Sequence, residues 1–553
     1  MTFTVKDLAS LLQNNKDFSN SSELVSGLEF DSRKVHKGSA FFCIKGEKTD
    51  GHKYIKTALE GGASLVIAEK SRYDEFKDVS EKIIFVEHVR KALGLAANEF
   101  YGRISSKVNL IGITGTNGKT TTTHLVGQIL SRVSGKRVGL VGTLGSKIFE
   151  NGVCLEFLGE GSGRTTPEAP ELHGIFKELY SKGCENIVME VSSHSLEQGR
   201  VHGCDFRVAV FTNLTQDHLD YHVTMENYFE AKAILFKMLV DPPHSAFQAP
   251  LSHKGRKEES VLTPFSTSGR KVGDEGVPPF AILNADSQWS ERILKILSKE
   301  EVKVLTYGIQ DSKANLKAEQ VQFKSQLIEA VINFDSQKKE KLEIPLNGEF
   351  NLYNSLAALE VALGLGFDFK KCCQALEKVE SAPGRFQLIA KPESKSESGL
   401  PTCVVDYAHT PDGLENVLKT AKQIVPQGAK LISVFGCGGD RDPTKRPIMG
   451  RISTQYADLS FVTSDNPRSE DPNQIVADIM SGIASLDKVE VEIDRAQAIE
   501  RAILEADPQD VIVVAGKGHE DYQIFADKTI HFLDSEEVEK AYTKRIAHQK
   551  DVK

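Results

Sequence analysis

Residues 108–130, VNLIGITGTNGKTTTTHLVGQIL, constrain the fold of this chain more than any other segment. They predict a buried strand, a glycine-containing turn, and a helix whose Leu125, Ile129 and Leu130 share one apolar face. A strand that leads through a short glycine turn into a helix is typical of a parallel sheet covered by helices. The segment therefore predicts an α/β protein.

The same turn has the composition of a phosphate-binding loop. Gly115 and Gly118 let backbone N–H groups converge on a polyphosphate, Lys119 adds a positive charge, and the Thr120 hydroxyl can bind Mg²⁺. The pattern GxxxxGK[ST] is broken only at Ile113, where it requires glycine. A turn that binds nothing is the alternative, but GKT in this context favours a nucleoside triphosphate. ATP is preferred because the chain has no NKxD motif for guanine.

The length of 553 residues is enough for three or four domains. Short β-branched runs alternate with amphipathic segments along the chain, and they divide it into residues 1–106, 107–383 and 384–553. The second boundary falls at the turn-forming pair Pro383 and Gly384. The pattern of the third part predicts a doubly wound domain. We expect helices at residues 54–62 and 89–101, and strands at 64–67, 82–86, 108–114, 186–191, 208–213, 403–407, 431–435, 459–463 and 510–515. Residues 241–279 lack periodicity and predict a long surface excursion.

Charge and composition exclude several classes of protein. The net charge of −9 gives no broad positive surface for nucleic acid or an anionic membrane. The longest apolar runs are far short of the ~20 residues that a membrane span needs, and the N-terminus lacks a signal-peptide pattern. Eight scattered cysteines without a CxxC pair indicate buried, reduced thiols. We expect a cytoplasmic monomer without membrane insertion.

Two polar residues follow predicted strands and are candidate metal ligands. Glu190 and His218 fall at the carboxyl ends of strands, where ligands of open α/β sheets bind. A carboxylate and an imidazole with open positions suit Mg²⁺ or Mn²⁺ better than a closed zinc site. Each residue alone is also compatible with a helix cap.

Lys232 lies within the apolar stripe of a predicted helix, MENYFEAKAILFKML, whose Glu230 and Lys237 fall on the opposite face. Such a lysine ordinarily extends to solvent or pairs with a carboxylate. Burial would instead lower its pKa and make the neutral amine available for chemistry.

An ordered set of motifs resembles the ATP-dependent Mur ligases of peptidoglycan synthesis. The motifs are FDSRKVHKG, KTDGHKYI, GTNGKTTT, TTPE, MEVSSHSLEQGRV, FTNLTQDHLDYH, YFEAKAILF, LNGEFNLYN, GRF, VDYAHTP, FGCGGDRDPTKRP, TSDNPRSEDP and AGKGHEDYQ. They cover nearly the whole chain. The resemblance implies a UDP-sugar domain (1–106), a central P-loop ATPase domain (107–383) and a C-terminal Rossmann-like amino-acid domain (384–553).

The resemblance also implies site residues. Ser32 would hold the uridine nucleotide, and the muramoyl-dipeptide would contact Thr165, Thr166, Ser192, Gln198 and Arg200. The implied ATP contacts are Gly115, Thr116, Asn117, Gly118, Lys119, Thr120, Thr121, Asn351 and Arg385. The implied Mg²⁺ ligands are Thr120, Glu190, His218 and a carbamate on Lys232. Carbamylation reverses the ordinary interpretation of Lys232, which joins Lys119, Glu190 and His218 as a catalytic residue.

The expected reaction adds meso-diaminopimelate to the D-glutamate γ-carboxylate of UDP-N-acetylmuramoyl-L-alanyl-D-glutamate through an acyl phosphate. Arg468 and Arg441 would hold the distal carboxylate of diaminopimelate, and Glu520 its distal ammonium. The other implied amino-acid contacts are Asp465, Asn466, Pro467 and Gly516. A solvated loop position is the alternative for Arg468.

Other functions remain open at this point. Within the superfamily they are a lysine-adding synthetase and a folylpolyglutamate-type ligase, and TSDNPRSE argues against both. Outside it they are a P-loop ATPase switch and a UDP-sugar-binding module, which would not need Lys119, Glu190, His218 and Lys232 together.

Overall fold

The computed structural model describes residues 3–12, 22–46, 49–159, 164–241, 278–298, 302–311, 313–324, 327–392 and 399–551. By their contacts the residues form two compact units. The first comprises Met1–Lys317, Phe334–Ser336 and Leu356–Ala375, and the second Ala318–Asn333, Gln337–Ser355 and Leu376–Lys553. Among the described helices, none is long and apolar enough to span a bilayer.

The first unit begins with a small parallel sheet. Its elements are α1 (Val5–Leu11), β1 (Gly27–Glu29), β2 (Ser39–Phe42), α2 (Ile55–Glu60), β3 (Leu65–Glu69), β4 (Ile83–Val86) and α3 (Val89–Phe100). The strands are hydrogen-bonded in the order β1-β2-β3-β4. Buried residues of β2 and β3 alternate between two apolar cores, one on each face of the sheet. Helices therefore cover both faces, as a parallel sheet requires.

The next part of the first unit is a larger sheet. Its elements are β5 (Asn109–Thr114), α4 (Lys119–Ser134), β6 (Val138–Gly142), β7 (Gly145–Glu150), β8 (Val153–Gly159), α5 (Ala169–Ser181), β9 (Asn186–Glu190), α6 (Ser193–Glu197), β10 (Val208–Phe211), α7 (Leu219–His222), α8 (Met225–Val240), β11 (Phe280–Asn284), α9 (Ser290–Leu297) and β12 (Lys303–Gly308).

From β12 onwards, the strands of this sheet follow the order β12-β11-β10-β5-β9-β6-β7-β8. The strands from β12 to β6 pair in parallel, and β7 and β8 continue antiparallel. The central strand β5 lies between β9 and β10. The carboxyl ends of these three strands therefore share one edge of the sheet, which is where open α/β sheets bind ligands.

The remaining elements follow in chain order. They are β13 (Leu316–Phe323), β14 (Ile328–Phe334), β15 (Lys338–Ile344), α10 (Glu349–Gly364), α11 (Phe369–Leu376), β16 (Gln387–Leu388), β17 (Thr402–Asp406), α12 (Pro411–Ile424), β18 (Leu431–Phe435), α13 (Lys445–Tyr456), β19 (Leu459–Val462), α14 (Pro472–Met480), β20 (Val489–Val491), α15 (Arg495–Glu505), β21 (Val511–Ala515), β22 (Tyr522–Ile524), β23 (Thr529–His531) and α16 (Asp534–Asp551).

The second unit contains a sheet of order β16-β17-β21-β18-β19-β20. All neighbours in it are parallel except β16 and β17. Apolar clusters lie on both faces, and β21 contributes alternate residues to each. This is the doubly wound arrangement predicted for the C-terminal part. The carboxyl ends of β17, β21, β18 and β19 lie side by side.

The structure confirms the predicted α/β class, and the observed strands begin and end within one or two residues of the expected positions. One expectation about cysteines is wrong. Seven of the eight free thiols are buried, but Cys154 is exposed on the terminal strand β8 of its sheet. The predicted excursion at residues 241–279 lies almost entirely outside the described residues.

Candidate active site

The phosphate loop joins β5 to α4 at the centre of the first unit's larger sheet. Ile113, which replaces the glycine of the pattern, is fully buried inside β5 and pairs with Glu190 of β9. The turn itself requires glycine at two positions, 115 and 118. A Cβ atom on Gly115 would lie 1.9 Å from Thr212 Oγ1, and Gly118 has a φ of +84°. The departure at Ile113 therefore affects the strand and not the turn.

Lys119 lies over this loop. Its Nζ donates to the carbonyl oxygens of Gly115 at 2.9 Å and Thr116 at 2.8 Å. From the end of β10, Asn213 Oδ1 accepts the Asn117 N–H at 2.9 Å. The lysine and the first turn of α4 thus share one side of the loop, where a helix N-terminus favours an anion.

Glu190 ends β9 and is 1% exposed. Its Oε1 accepts the Thr143 N–H at 2.8 Å, and its Oε2 accepts the hydroxyls of Thr120 at 2.9 Å and Thr143 at 3.1 Å. The carboxylate also requires Gly142, because a Cβ there would lie 2.3 Å from Glu190 Oε1. Two predicted Mg²⁺ ligands, Thr120 and Glu190, are therefore in direct contact. The sequence interpretation missed Thr143, which donates to both oxygens of the Glu190 carboxylate.

His218 is a third predicted metal ligand. It has a φ of +53°, and its side chain is 46% exposed. Its Nε2 lies 3.5 Å from Asp217 Oδ2, and its ring packs against His194 at 4.9 Å between centroids. In the part of the chain that the structure describes, no three His, Cys, Asp or Glu side chains are grouped to hold a metal ion.

Lys232 lies in α8 and is 2% exposed. Its Nζ donates to the Gly115 carbonyl at 2.8 Å, and lies 4.4 Å from the centre of the Tyr228 ring. Burial, together with the nearby Lys119 cation, holds the pKa of this amine well below its usual range. The ordinary interpretation, a lysine extended to solvent, is wrong. The two lysines converge on one carbonyl of the phosphate loop.

The residues predicted to contact the muramoyl-dipeptide lie beside Glu190. Thr166 Oγ1 donates to the Glu190 carbonyl at 3.0 Å and accepts the Ser192 N–H at 3.2 Å. Arg200 donates to the Thr166 carbonyl at 3.1 Å and to Gln198 Oε1 at 2.6 Å. Another hydroxyl, that of Thr165, accepts from Thr143 at 3.2 Å. The structure thus brings all five predicted residues together.

Three further predicted contacts are on other elements of the chain. Ser32 begins a short 3-10 helix after β1. Asn351 is 1% exposed in α10, and its Nδ2 donates to the Asn347 carbonyl at 2.9 Å. In the second unit, the Arg385 guanidinium lies 4.7 Å from the centre of the Tyr407 ring.

The predicted amino-acid site follows the strand ends of the second unit. Arg441 comes after β18 and Arg468 after β19, and Gly438 lies between their side chains. A Cβ on Gly438 would be 2.9 Å from Arg468 Nη1 and 3.8 Å from Arg441 Cγ. Arg468 Nη1 donates to the Gly439 carbonyl at 2.8 Å. The two arginines are therefore neighbours.

Glu520 follows β21 in the same unit. Its Oε2 accepts from Asn466 Nδ2 at 2.8 Å and from Lys517 Nζ at 3.2 Å, while its Oε1 accepts from the Tyr407 hydroxyl at 3.4 Å. The Asn466 carbonyl also lies 3.5 Å from Arg468 Nη1, so one asparagine contacts both the cationic and the anionic side of the site. The sequence interpretation missed Lys517, whose side chain is fully buried, although it lies in the motif AGKGHEDYQ.

A buried ion pair supports the edge of this site. Arg495 and Asp534 form two hydrogen bonds of 2.7 and 2.8 Å with both side chains 0% exposed. Arg495 also donates to the Ala515 carbonyl at 3.0 Å, just before Gly516. Gly516 has a φ of +123°, and a Cβ there would lie 2.7 Å from Asp465 Oδ2. No local pattern indicated this pair, because its partners are 39 residues apart.

Comparison with known proteins gives a consistent result. The description "Mur ligase family, catalytic domain" matches residues 24–101, "Mur ligase middle domain" matches 113–250 and 269–362, and "Mur ligase, glutamate ligase domain" matches 384–518. The UDP-N-acetylmuramoyl-L-alanyl-D-glutamate--2,6-diaminopimelate ligase of Clostridium tetani is 41% identical over 514 residues, 93% of each chain. The ligase of the same name from Aquifex aeolicus is 41% identical over 521 residues, also 93% of each chain.

Solved structures agree. One named as the same ligase has a TM-score of 0.67 and 31% identity, and the match covers 99% of this chain and 100% of that one. A folylpolyglutamate synthase from Thermotoga maritima, at 18% identity and a TM-score of 0.54 over 77% of this chain and 89% of that one, shares the fold alone. The chain therefore belongs to the Mur ligase family, and it is an ATP-dependent ligase with the three-domain α/β fold that its motifs predicted.

Proposed function

We propose that this protein joins meso-diaminopimelate to the D-glutamate γ-carboxylate of UDP-N-acetylmuramoyl-L-alanyl-D-glutamate, with cleavage of ATP to ADP and phosphate, in peptidoglycan precursor synthesis. One observation carries the proposal: Asn466 contacts both Arg468 and Glu520. Diaminopimelate has a carboxylate and an ammonium at its distal carbon, which match an arginine and a glutamate side by side. Lysine lacks that carboxylate. The names of the relatives support the same substrate.

ATP would bind with its phosphates at the loop between β5 and α4. The proposed contacts are Gly115 to Thr121 together with Asn351 and Arg385. Lys119 already lies over this loop, and its ammonium would supply a counter-charge to the phosphates there. That counter-charge matters because the γ-carboxylate and the triphosphate are both anions.

The chemistry proceeds in two steps. The γ-carboxylate oxygen attacks the γ-phosphorus of ATP, the bond to the β-γ bridging oxygen breaks, and an acyl phosphate and ADP form. The amine of diaminopimelate then attacks the acyl carbon, and phosphate leaves as the amide forms. Thr165, Thr166, Ser192, Gln198 and Arg200 would hold the acceptor dipeptide so that only this carboxylate meets the phosphate.

The residues at the loop fit a Mg²⁺ ion. The Thr120 hydroxyl and the Glu190 carboxylate are oxygen donors in contact at 2.9 Å, and both residues are buried beside the phosphate loop. We infer that Thr120, Glu190, His218 and a carbamate on Lys232 would hold the ion. When bound, Mg²⁺ supplies positive charge to the phosphates.

Lys232 has the properties that carbamylation requires. Its lowered pKa favours the neutral amine, the form that can add to CO₂ with formation of an N–C bond and loss of one proton. The resulting carbamate anion would lie near the Lys119 cation and would gain an attraction that the neutral amine lacks. The modification thus suits this buried position better than an ammonium does.

The remaining parts of the proposal follow from the family matches. The matches fall within the predicted domains 1–106, 107–383 and 384–553, and we propose these limits. Ser32 would contact the uridine nucleotide in the first domain. We also propose that the protein acts as a monomer in the cytoplasm, where ATP and the nucleotide substrate are available.

A substrate panel tests the proposal. Purified protein with ATP, Mg²⁺ and UDP-N-acetylmuramoyl-L-alanyl-D-glutamate is supplied with meso-diaminopimelate, L-lysine, L-ornithine or L-glutamate, and phosphate release and product mass are measured. We expect a new amide product with diaminopimelate. Equal turnover with lysine, or a product only with glutamate, would instead support one of the alternative ligases.

A further inference from the structure

Glu168, the last residue of the TTPE motif, is surrounded by three arginines. Its carboxylate oxygens accept from Arg90 Nη1 at 3.1 and 3.3 Å and from Arg164 Nη1 at 2.6 Å. Arg200 Nε lies 3.3 Å from Glu168 Oε1. Of these four side chains, only Arg200 is among the predicted substrate contacts.

The position of Glu168 in the fold is unusual for a carboxylate at a helix start. It is the N-cap residue of α5, and its carbonyl accepts the Leu172 N–H, yet its side chain makes no capping hydrogen bond. The carboxylate points to the arginines instead, with the residue 5% exposed. A buried carboxylate loses its favourable hydration, and the hydrogen bonds from the arginines compensate for that loss.

The four side chains do not balance in charge. Three guanidinium groups surround one carboxylate, which leaves two positive charges within the cluster. Burial lowers the pKa of Arg200, and the nearby Arg164 and Arg90 lower it further while Glu168 opposes them. The cluster would therefore be stabilised by an additional anion.

The cluster is continuous with the proposed dipeptide site. Arg200 also donates to the Thr166 carbonyl and to Gln198 Oε1, and the Thr166 hydroxyl donates to the carbonyl of Glu190. Arg90, by contrast, comes from α3 in the proposed UDP-sugar domain. Glu168 thus links a residue of the first proposed domain to the acceptor site of the second.

We propose that Glu168 is a positioning residue for the nucleotide-linked substrate: it holds Arg90, Arg164 and Arg200 together so that their surplus positive charge is available to a carboxylate or diphosphate of that substrate. This inference rests on the proposed function. It extends the acceptor site to two arginines and one glutamate that are not among the predicted substrate contacts.

Equilibrium binding by calorimetry tests the inference without catalysis. UDP-N-acetylmuramoyl-L-alanyl-D-glutamate and UDP are titrated into wild type and the Glu168→Gln variant. Without Glu168 the arginines lose their common position, and loss of a charge-assisted contact to the substrate predicts about ten- to hundredfold weaker binding of the dipeptide nucleotide. The KM for the dipeptide nucleotide should rise in parallel, while the KM for ATP should stay within about twofold of the wild-type value. If the affinity for UDP falls by the same factor, the arginines hold the diphosphate. If the affinity for UDP is unchanged, they hold a carboxylate of the substrate.

Matched variants distinguish a specific effect of Glu168 on substrate binding from a general loss of structure. Glu171→Gln, in the first turn of the same helix, should bind as wild type does. In the double variant Glu168→Gln/Arg90→Ala, binding should weaken little further than in Glu168→Gln alone, because Arg90 is positioned by Glu168. Should Glu168→Gln fail to fold, Arg90→Lys replaces it, since it keeps the charge but loses the contact with both carboxylate oxygens.

Unchanged binding by a folded Glu168→Gln or Arg90→Lys variant would overturn the inference, as would an equal loss of affinity for ATP. Failure of wild type to bind the dipeptide nucleotide at all would instead refute the proposed function.

Discussion

The selectivity of the amino-acid site depends on Arg468, and replacing it with alanine should remove most of that selectivity. One nitrogen of its guanidinium, Nη1, donates to the Gly439 carbonyl, while a guanidinium carries five N–H donors in all. The remaining donors can bind the distal carboxylate of diaminopimelate. A charge-assisted contact of this kind contributes about 1.5 to 3 kcal/mol, which corresponds to about a ten- to hundredfold loss in kcat/KM.

Lysine provides the internal comparison. It lacks the distal carboxylate, so Arg468→Ala should change kcat/KM for lysine by less than about threefold. Any general weakening of the loop, from loss of the bond to the Gly439 carbonyl, acts on both substrates and cancels in their ratio. The variant Arg468→Lys keeps a positive charge without the planar fork and should give an intermediate ratio.

The assay is phosphate release with each amino acid over a range of concentrations, for wild type and both variants. An equal decline with diaminopimelate and lysine in Arg468→Ala would refute the reasoning. It would show that Arg468 maintains the loop and does not recognise the carboxylate.

Three other predictions concern Lys119, Lys232 and Glu360. Lys119→Ala should fold normally and lose turnover by at least about a hundredfold, because the triphosphate loses its nearest side-chain counter-charge; near-normal phosphate release would exclude this ATP site. Lys232→Ala should be nearly inactive and partly restored by a short added carboxylate such as formate, which can occupy the position of the carbamate; normal activity in its absence would contradict carbamylation. Burial raises the pKa of Glu360 in α10 from 4.5 to about 8, so the folded protein keeps a proton there that the unfolded chain has lost, and stability falls as pH rises from about 4.5 to 8. The Tm of Glu360→Gln should therefore rise relative to the Tm of wild type as pH increases from about 5 to 8. A difference in Tm that does not change with pH would refute this.

Much of the fold was predictable because its strands are short apolar runs bounded by turn residues. Leu431–Phe435 appears in the structure as predicted, since all five residues are buried on both faces of a parallel sheet. The phosphate loop was also predictable, because its glycines and GKT motif act within a few residues of one another. The hairpin of β7 and β8 was missed, and with it the exposure of Cys154 at the edge. An edge strand lacks the uniform burial that marks a central one.

The site was predictable only where a motif carried it. Lys232 shows the limit: the apolar stripe placed it on a buried face, but its contact with the Gly115 carbonyl joins residues 117 positions apart. Glu168 and Arg90, 78 positions apart, show the same limit. Gly142 and Thr143 position Glu190 through a close packing contact and a backbone N–H, and neither leaves a pattern in the sequence. Long-range contacts between side chains are set by the folded sheet and not by local spacing.

The central claim is that this enzyme activates the γ-carboxylate as an acyl phosphate and transfers it to diaminopimelate. The most direct test labels both γ-carboxylate oxygens of UDP-N-acetylmuramoyl-L-alanyl-D-glutamate with ¹⁸O, and measures the mass of the released phosphate and of the product during turnover with meso-diaminopimelate. The account predicts one ¹⁸O atom in each phosphate, and one ¹⁸O retained in the new amide of a diaminopimelate-containing product. Unlabelled phosphate, with both ¹⁸O atoms left in the dipeptide, would show that ATP is hydrolysed by water and would contradict the account.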